Sequence, residues 1–334
     1  MARIVLGLAT SHGPMLTTPY ENWDQRVNFD RRYAEHAFKG KTYNFEQLVK
    51  LRAGEGFDKQ ITKEKWRERH GACMSAISRL ADVFAAAKPD VAVIFGNDQK
   101  ELFNDTGIPA LAVYWGETIE NRMGAEELKH NEAPGVAVAQ AGRIPPEGAT
   151  YQGVPELGRA IIEKLTGTGH DVTAVKHYRP GRGAIPHAYG FVYRKIMRDQ
   201  VIPSVPVILN TFYPPNQPDV RRCWDIGRTV LDAVKAWPSD LRVALIASGG
   251  LTHFVIDEDV DNAVLDAIRA GRVDGLADLG EPIFQEGTSE IKNWVALMGA
   301  MADLNFKPTI EDYVPCYRSM AGTGNAMGFV HWHG

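Results

Sequence analysis

A chain of 334 residues with a formal net charge of −4 has room for one large α/β domain or two small ones, and it shows no basic stripe of the kind that binds nucleic acid. Hydrophobic residues at 44% and charged residues at 23% place it in the ordinary globular class. Cys73, Cys223 and Cys316 are too few and too scattered for a disulfide framework or a CxxC zinc motif, no apolar stretch approaches the ~20 residues that span a bilayer, and Met1-Ala2-Arg3 runs into the first strand without signal-peptide architecture. The expectation is a cytoplasmic protein with neither a nucleic-acid nor a membrane partner.

In chain order, the apolar run Ile4 to Ala9 reads as a buried strand, broken at once by Ser11-His12-Gly13-Pro14. Asn22 to Glu68 is polar, charged and rich in aromatics, and is expected either as a lid or pocket wall or as a surface helical hairpin packing its rings on the domain. Cys73 to Ala87 has helical spacing and leads into a second buried strand, Asp90 to Phe95. Pro109 to Trp115 reads as a short strand. Glu117 to Gln152 is loop-like, with several Gly and Pro residues. Helix Glu156 to Leu165, strand Asp171 to Val175, strand Val205 to Asn210, helix Val220 to Ala236, strand Leu241 to Ala247, and helices Asp257 to Ala270 and Ser289 to Leu304 follow. This alternation predicts an α/β fold: a single domain, residues 1–334, with a central mixed, mostly parallel sheet flanked by helices and insertions at about 22–68 and 117–152.

Chemistry-bearing residues collect where strands end, which is where open α/β sheets bind ligands. His12 follows the first strand, Asn97-Asp98-Gln99 the second, and Ser248-Gly249-Gly250-Leu251-Thr252-His253 the strand at 241–247. His187 lies in the breaker-rich Ala184-Ile185-Pro186-His187-Ala188-Tyr189-Gly190, and Glu290 in the first turn of an apolar helix. Singly, each has an ordinary explanation as a capping or turn residue. Together they offer imidazoles and a carboxylate to a mononuclear metal. Two histidines and one carboxylate with open positions suit non-haem Fe(II) handling O₂, and zinc can use the same set with a bound water. There is no HExxH helix, no GxSxG elbow and no GxGxxG after the first strand, which removes the commonest zinc-protease, serine-hydrolase and dinucleotide readings.

The ordered set resembles the class III extradiol ring-cleaving dioxygenases, the family of the protocatechuate 4,5-dioxygenase β subunit. The resemblance rests on Ala9-Thr10-Ser11-His12-Gly13-Pro14, Asn97-Asp98, the His187 loop, Ser248 to His253, Gly287-Thr288-Ser289-Glu290 and Gly324-Asn325-Ala326-Met327-Gly328. It implies Fe(II) held by His12 and Glu290, and His253 as the acid/base histidine beside a catechol. It also puts His187 in the substrate pocket among the catalytic residues. The family's second histidine ligand lies between the first two strands. Order along the chain leaves His36 and His70, and His70 is preferred because it directly precedes the helix feeding the second strand. Many family members carry an acid/base histidine after the Asn-Asp pair, where this chain has Gln99, an amide that cannot shuttle a proton. Asp98, Gln99, Thr252, Tyr189 and Arg182 are the expected substrate contacts, Arg182 as the cation for a carboxylate. The C-terminal pair His331 and His333 shares one face if that end is extended, and His130, His170 and His177 read as ordinary loop or strand-edge histidines.

The resemblance implies an Fe(II)-dependent extradiol dioxygenase that uses O₂ to open a small catecholic acid such as gallate, 3-O-methylgallate or protocatechuate, as a homodimer or larger homo-oligomer. A metal-free, non-catalytic partner subunit and a zinc-dependent hydrolase on the same fold are the alternatives.

Overall fold

The computed structural model describes residues 1–130 and 136–334; the side chains of residues 129–138, His130 among them, lie outside the description. Nine strands form one mixed sheet. They are β1 (Arg3–Ser11), β2 (Val91–Asn97), β3 (Leu111–Tyr114), β4 (Thr173–Val175), β5 (Ser204–Leu209), β6 (Arg242–Gly249), β7 (His253–Val255), β8 (Lys307–Tyr317) and β9 (Thr323–His333). The spatial order is β7-β9-β1-β6-β2-β5-β3-β4, with β8 also paired to β9. The centre is parallel: β1 on β6, β6 on β2, and β2 on β5. Strands covered on both faces should be apolar without alternation, and β2 and β5 are buried at every residue.

Five longer helices cover the sheet: α1 (Lys63–Ala87), α2 (Pro155–Gly167), α3 (Val220–Ala236), α4 (Glu258–Ala270) and α5 (Ile291–Ala302). Side chains alternate across a strand, and β2 divides accordingly. Val91, Val93 and Phe95 join the core under α2 to α5, while Ala92 and Ile94 join the core under α1. Helix starts follow local chemistry. Thr62 accepts from the Lys65 amide at 3.2 Å to cap α1, and Asp219 from the Arg222 amide at 2.7 Å to cap α3. Helix α5 is buried from Ile291 to Met301. It approaches α3 so closely that a Cβ on Gly227 would lie 1.7 Å from the Ala296 carbonyl oxygen, so alanine there would force the two helices apart.

The predicted α/β architecture, with its mixed sheet, its parallel centre and its helices, is the one observed. The C-terminal hairpin, β8 against β9, is an addition. Glycines in Gly324 to Gly328 hide β9 in the sequence. Gly328 makes no turn there: a Cβ on it would lie 2.7 Å from the Trp294 ring of α5, so close packing requires the glycine. The aromatic segment packs rings on the domain and also supplies a pocket wall. Trp23 and Trp66 are buried with ring centroids 6.1 Å apart, and Arg26, at the end of the 3₁₀ turn Tyr20–Arg26, reaches a cavity wall. Segment 117–152 contributes the strand pair Thr118–Asn121 and Ala149–Gln152. Among the described residues no helix is long and apolar enough to cross a membrane.

Candidate metal and substrate site

The register of the parallel strands sets three chain ends side by side. Ser11 of β1 is level with Gly249 of β6, and Ala247 of β6 with Phe95 of β2. His12 leaves β1 at this edge, Asn97 and Gln99 leave β2, and the turn after β6 returns at His253. Glu290 arrives from the buried 3₁₀ turn Glu286–Glu290 that opens α5. His187 arrives on the short helix His187–Phe191.

Three donor atoms converge. His12 Nε2 lies 3.1 Å from Glu290 Oε2 and 3.0 Å from His187 Nε2. Among the described residues, His12, His187 and Glu290 have one ligand atom each within 4.8 Å of one another. A first-row divalent ion holds imidazole nitrogen at about 2.1 Å, which sets neighbouring donors at right angles about 3 Å apart. The spacing and the donor types, two imidazoles and a carboxylate, fit such an ion.

The surrounding hydrogen bonds fix the tautomers. Ser248 Oγ donates to the Ala188 carbonyl at 2.6 Å. Its single proton is thereby used, so at 3.0 Å it accepts from His12 Nδ1–H and leaves His12 Nε2 bare. His187 Nδ1 lies 2.8 Å from Glu101 Oε2, which can only accept when ionised, so His187 Nε2 is bare in the neutral ring as well. Two lone pairs 3.0 Å apart repel unless a cation or a proton stands between them. Glu290 is aimed by its other oxygen: Asn97 and Gln99 amides both donate to Oε1, at 3.0 and 2.9 Å, and leave Oε2 for the centre. Such outer partners orient metal ligands.

Charge follows the same plan. Burial pushes Glu290 up, but the His12 and His253 rings in their protonated form, His12 then also donating to it, outweigh burial and hold the carboxyl at about 2. Burial holds His12 below the ordinary imidazole value, against the pull of Glu290. Burial also lowers His187, yet the Glu101 carboxylate more than offsets it, and the ring sits above its ordinary value.

His253 stands apart from the triad. Its Nδ1 lies 2.8 Å from the Leu251 carbonyl, which can only accept, so Nε2 is bare in the neutral ring; that atom is 3.5 Å from Glu290 Oε2. Gly287 leaves the space for it: a Cβ there would lie 2.2 Å from His253 Cδ2 and 2.5 Å from its carbonyl oxygen. A cavity of about 390 Å³ opens over the group, lined by Arg26, Gln99, His187, Phe191, His253 and Phe254 among others.

Several expected residues lie elsewhere. His70, expected as the second imidazole ligand, projects from α1 toward Tyr20 and Trp23, with ring centroids 6.1 Å from each. His187 stands in its place beside His12 and Glu290. His36 Nε2 bonds the Asp30 carbonyl at 2.8 Å in the small hairpin His36–Phe38 and Lys41–Tyr43. His331 pairs with Glu311 at 3.0 Å, level with Leu8 and remote from His12. Asp98 accepts from the amides of Glu101, Leu102 and Phe103 and is a turn cap. Thr252 is spent on Asp261, and the Tyr189 hydroxyl on the Val207 carbonyl at 2.8 Å. Arg182 is neutralised by Glu127 at 2.8 Å, with Glu101 at 3.5 Å. Of the five expected substrate contacts, Gln99 alone lines the cavity among the described residues. Glu101 escaped sequence reasoning: it holds both the ring and the backbone amide of His187, and also pairs with Arg143. An acid three residues past Asp98 carries no signature of that role.

The family model of the catalytic LigB subunit of aromatic ring-opening dioxygenases matches residues 58–327. The chain belongs to this family. Gallate dioxygenase from Pseudomonas putida is 42% identical over 41 residues, a stretch that spans 12% of this chain and 12% of that protein. A solved structure, the uncharacterized protein JW3007 from Escherichia coli K12, is 15% identical with a TM-score of 0.45, over 76% of this chain and 91% of that one.

Two expected results arise from the geometry. His70→Ala should keep its metal content, since the ring makes no contact with the triad; anaerobic metal titration beside the wild type checks this, and loss of metal would return His70 to the site. Asp261, which holds the Thr252 turn before His253, is raised by burial to about 7. An acid raised on folding favours the native state while protonated. Its stabilisation is full below the ordinary carboxyl pKa of about 4 and is lost as pH rises through about 7. Relative to Asp261→Asn, the wild type should lose on the order of 2 kcal/mol between about pH 5 and pH 8, read by denaturant melts at both pH values.

Proposed function

We propose that this member of the ring-opening family is an Fe(II)-dependent extradiol dioxygenase for a catecholic acid of the gallate, 3-O-methylgallate or protocatechuate kind, with His12, His187 and Glu290 as the protein ligands. The observation that carries the reading is the meeting of two imidazole Nε2 atoms and one carboxylate oxygen on the cavity lining, His12 about 3 Å from each of its partners and all three within 4.8 Å. A ferrous ion there would supply adjacent coordination positions for a vicinal diol and for O₂.

The chain's own residues do the rest. His253 Nε2, bare in the neutral ring and facing the cavity, takes a proton from a substrate hydroxyl and returns it when the ring opens. Phe191 and Phe254 offer apolar walls to an aromatic ring and limit water. Gln99 and Asn97 hold Glu290 in one orientation while charge moves across the site. Gln99 moves no proton and acts through the carboxylate, as a positioning residue.

The test is anaerobic loading with Fe(II), followed by isotopically labelled O₂ and each of the three acids. About one iron per chain is expected, with both labelled atoms in a ring-opened product. A chain that stays metal-free would be a partner subunit instead, and one active only with zinc and without O₂ uptake would be a hydrolase.

A further inference from the structure

The cavity wall carries a guanidinium without a counter-ion. Arg26 is half-buried, its Nε is enclosed with no hydrogen-bond partner, and it forms no ion pair among the described residues. The acids nearest to it in charge or position are committed elsewhere. Asp30 holds Arg318 with two contacts, 2.7 and 2.8 Å, and accepts from Thr323 at 2.6 Å. Glu101, also on the cavity lining, is taken by His187, Arg143 and Arg182. Arg143 also lines the cavity but is neutralised by that pairing. Burial and the neighbouring Arg318 bring Arg26 down to about 10, against Asp30. A cation kept close to a second cation, with a donor unspent, gains most from an anion brought by a ligand.

Resting on the ring-opening reading above, we propose that Arg26 binds the carboxylate of an aromatic acid whose vicinal hydroxyls face the His12, His187 and Glu290 end of the same cavity. The planar fork of guanidinium matches a carboxylate. The ring between them meets Pro14, Phe191 and Phe254. Arg26 therefore replaces Arg182 as the carboxylate-binding residue, and it makes the site selective for catechols that carry an acid group.

The experiment is equilibrium binding to the Fe(II)-loaded protein without O₂, by calorimetry, with protocatechuate, its carboxamide and catechol. Wild type should prefer the acid to both neutral ligands by about tenfold to a hundredfold, the range of a charge-assisted bond made in a desolvated site. In Arg26→Met the ratio of acid to catechol affinity should collapse toward one, and in Arg26→Lys it should fall between. A wild type with no preference for the acid overturns the assignment, even if no variant folds. So does an Arg26→Met protein that keeps the wild-type ratio. If catechol and protocatechuate both fail to bind, the ring-opening reading itself fails and this inference falls with it, which is a different outcome from tight but indiscriminate binding.

Discussion

His187→Ala is expected to abolish metal binding as completely as His12→Ala. Among the described residues three protein donors meet at the site, so removing one leaves a bidentate remnant open to water. Loss of an outer hydrogen-bond partner to a metal ligand typically costs about 10- to 100-fold in affinity, and loss of the ligand itself should exceed that. Glu101→Gln supplies the comparison. It keeps the His187 ring but weakens the contact to Nδ1, now 2.8 Å, and should fall within that smaller range. Metal analysis after anaerobic loading and desalting, with calorimetric titration for the partial case, measures both. Full metal occupancy in His187→Ala would remove it from the ligand set and point back to His70 or to the Gln99 amide.

The second large effect is at His253. His253→Phe should keep its metal, since the ring lies outside the triad, and lose turnover by about 10²- to 10⁴-fold, the usual scale of a general acid–base group. The phenyl ring keeps an aromatic side chain in the space that Gly287 leaves and removes both nitrogens, with them the Nδ1 contact to the Leu251 carbonyl. Oxygen uptake at saturating catecholic acid, together with metal content, separates the outcomes. A variant that loses its metal would make His253 a ligand, and one that retains turnover would assign the proton transfer elsewhere.

The strand-end rule made much of this arrangement legible. His12, His253 and Glu290 stand far apart in the chain, yet each follows or precedes an apolar run, and parallel register places such ends on one rim. The rule fails inside helices and turns. His70 precedes the right strand, but one helical turn decides which way a ring points, and on α1 it points to Trp23. Asp98 sits beside two residues that reach Glu290 and still turns away, because three consecutive amides in the next turn need an acceptor. His187 was readable as a pocket residue. Its place beside His12 depends on Ser248 bridging to the Ala188 carbonyl, a contact between a strand end and a short helix about sixty residues apart. Strand β9 was hidden because its glycines serve close packing, Gly328 on the Trp294 ring and Gly324 on the Cys316 carbonyl of β8, and not a turn.

The close approach at Gly287 leaves the surroundings of His253 less free to change than other parts of the cavity lining. At Gly287 a single added methyl group meets His253 at 2.2 Å, and Glu290 is tied to helix α5, buried from Ile291 to Met301. Arg26, Ala139, Gln140 and Gly142 also line the cavity, and none of them lies on the nine-stranded sheet. Mutational drift therefore has unequal room. New substrates can be accommodated by rebuilding these lining residues while the chemistry stays put, and a search for altered specificity is best confined to them.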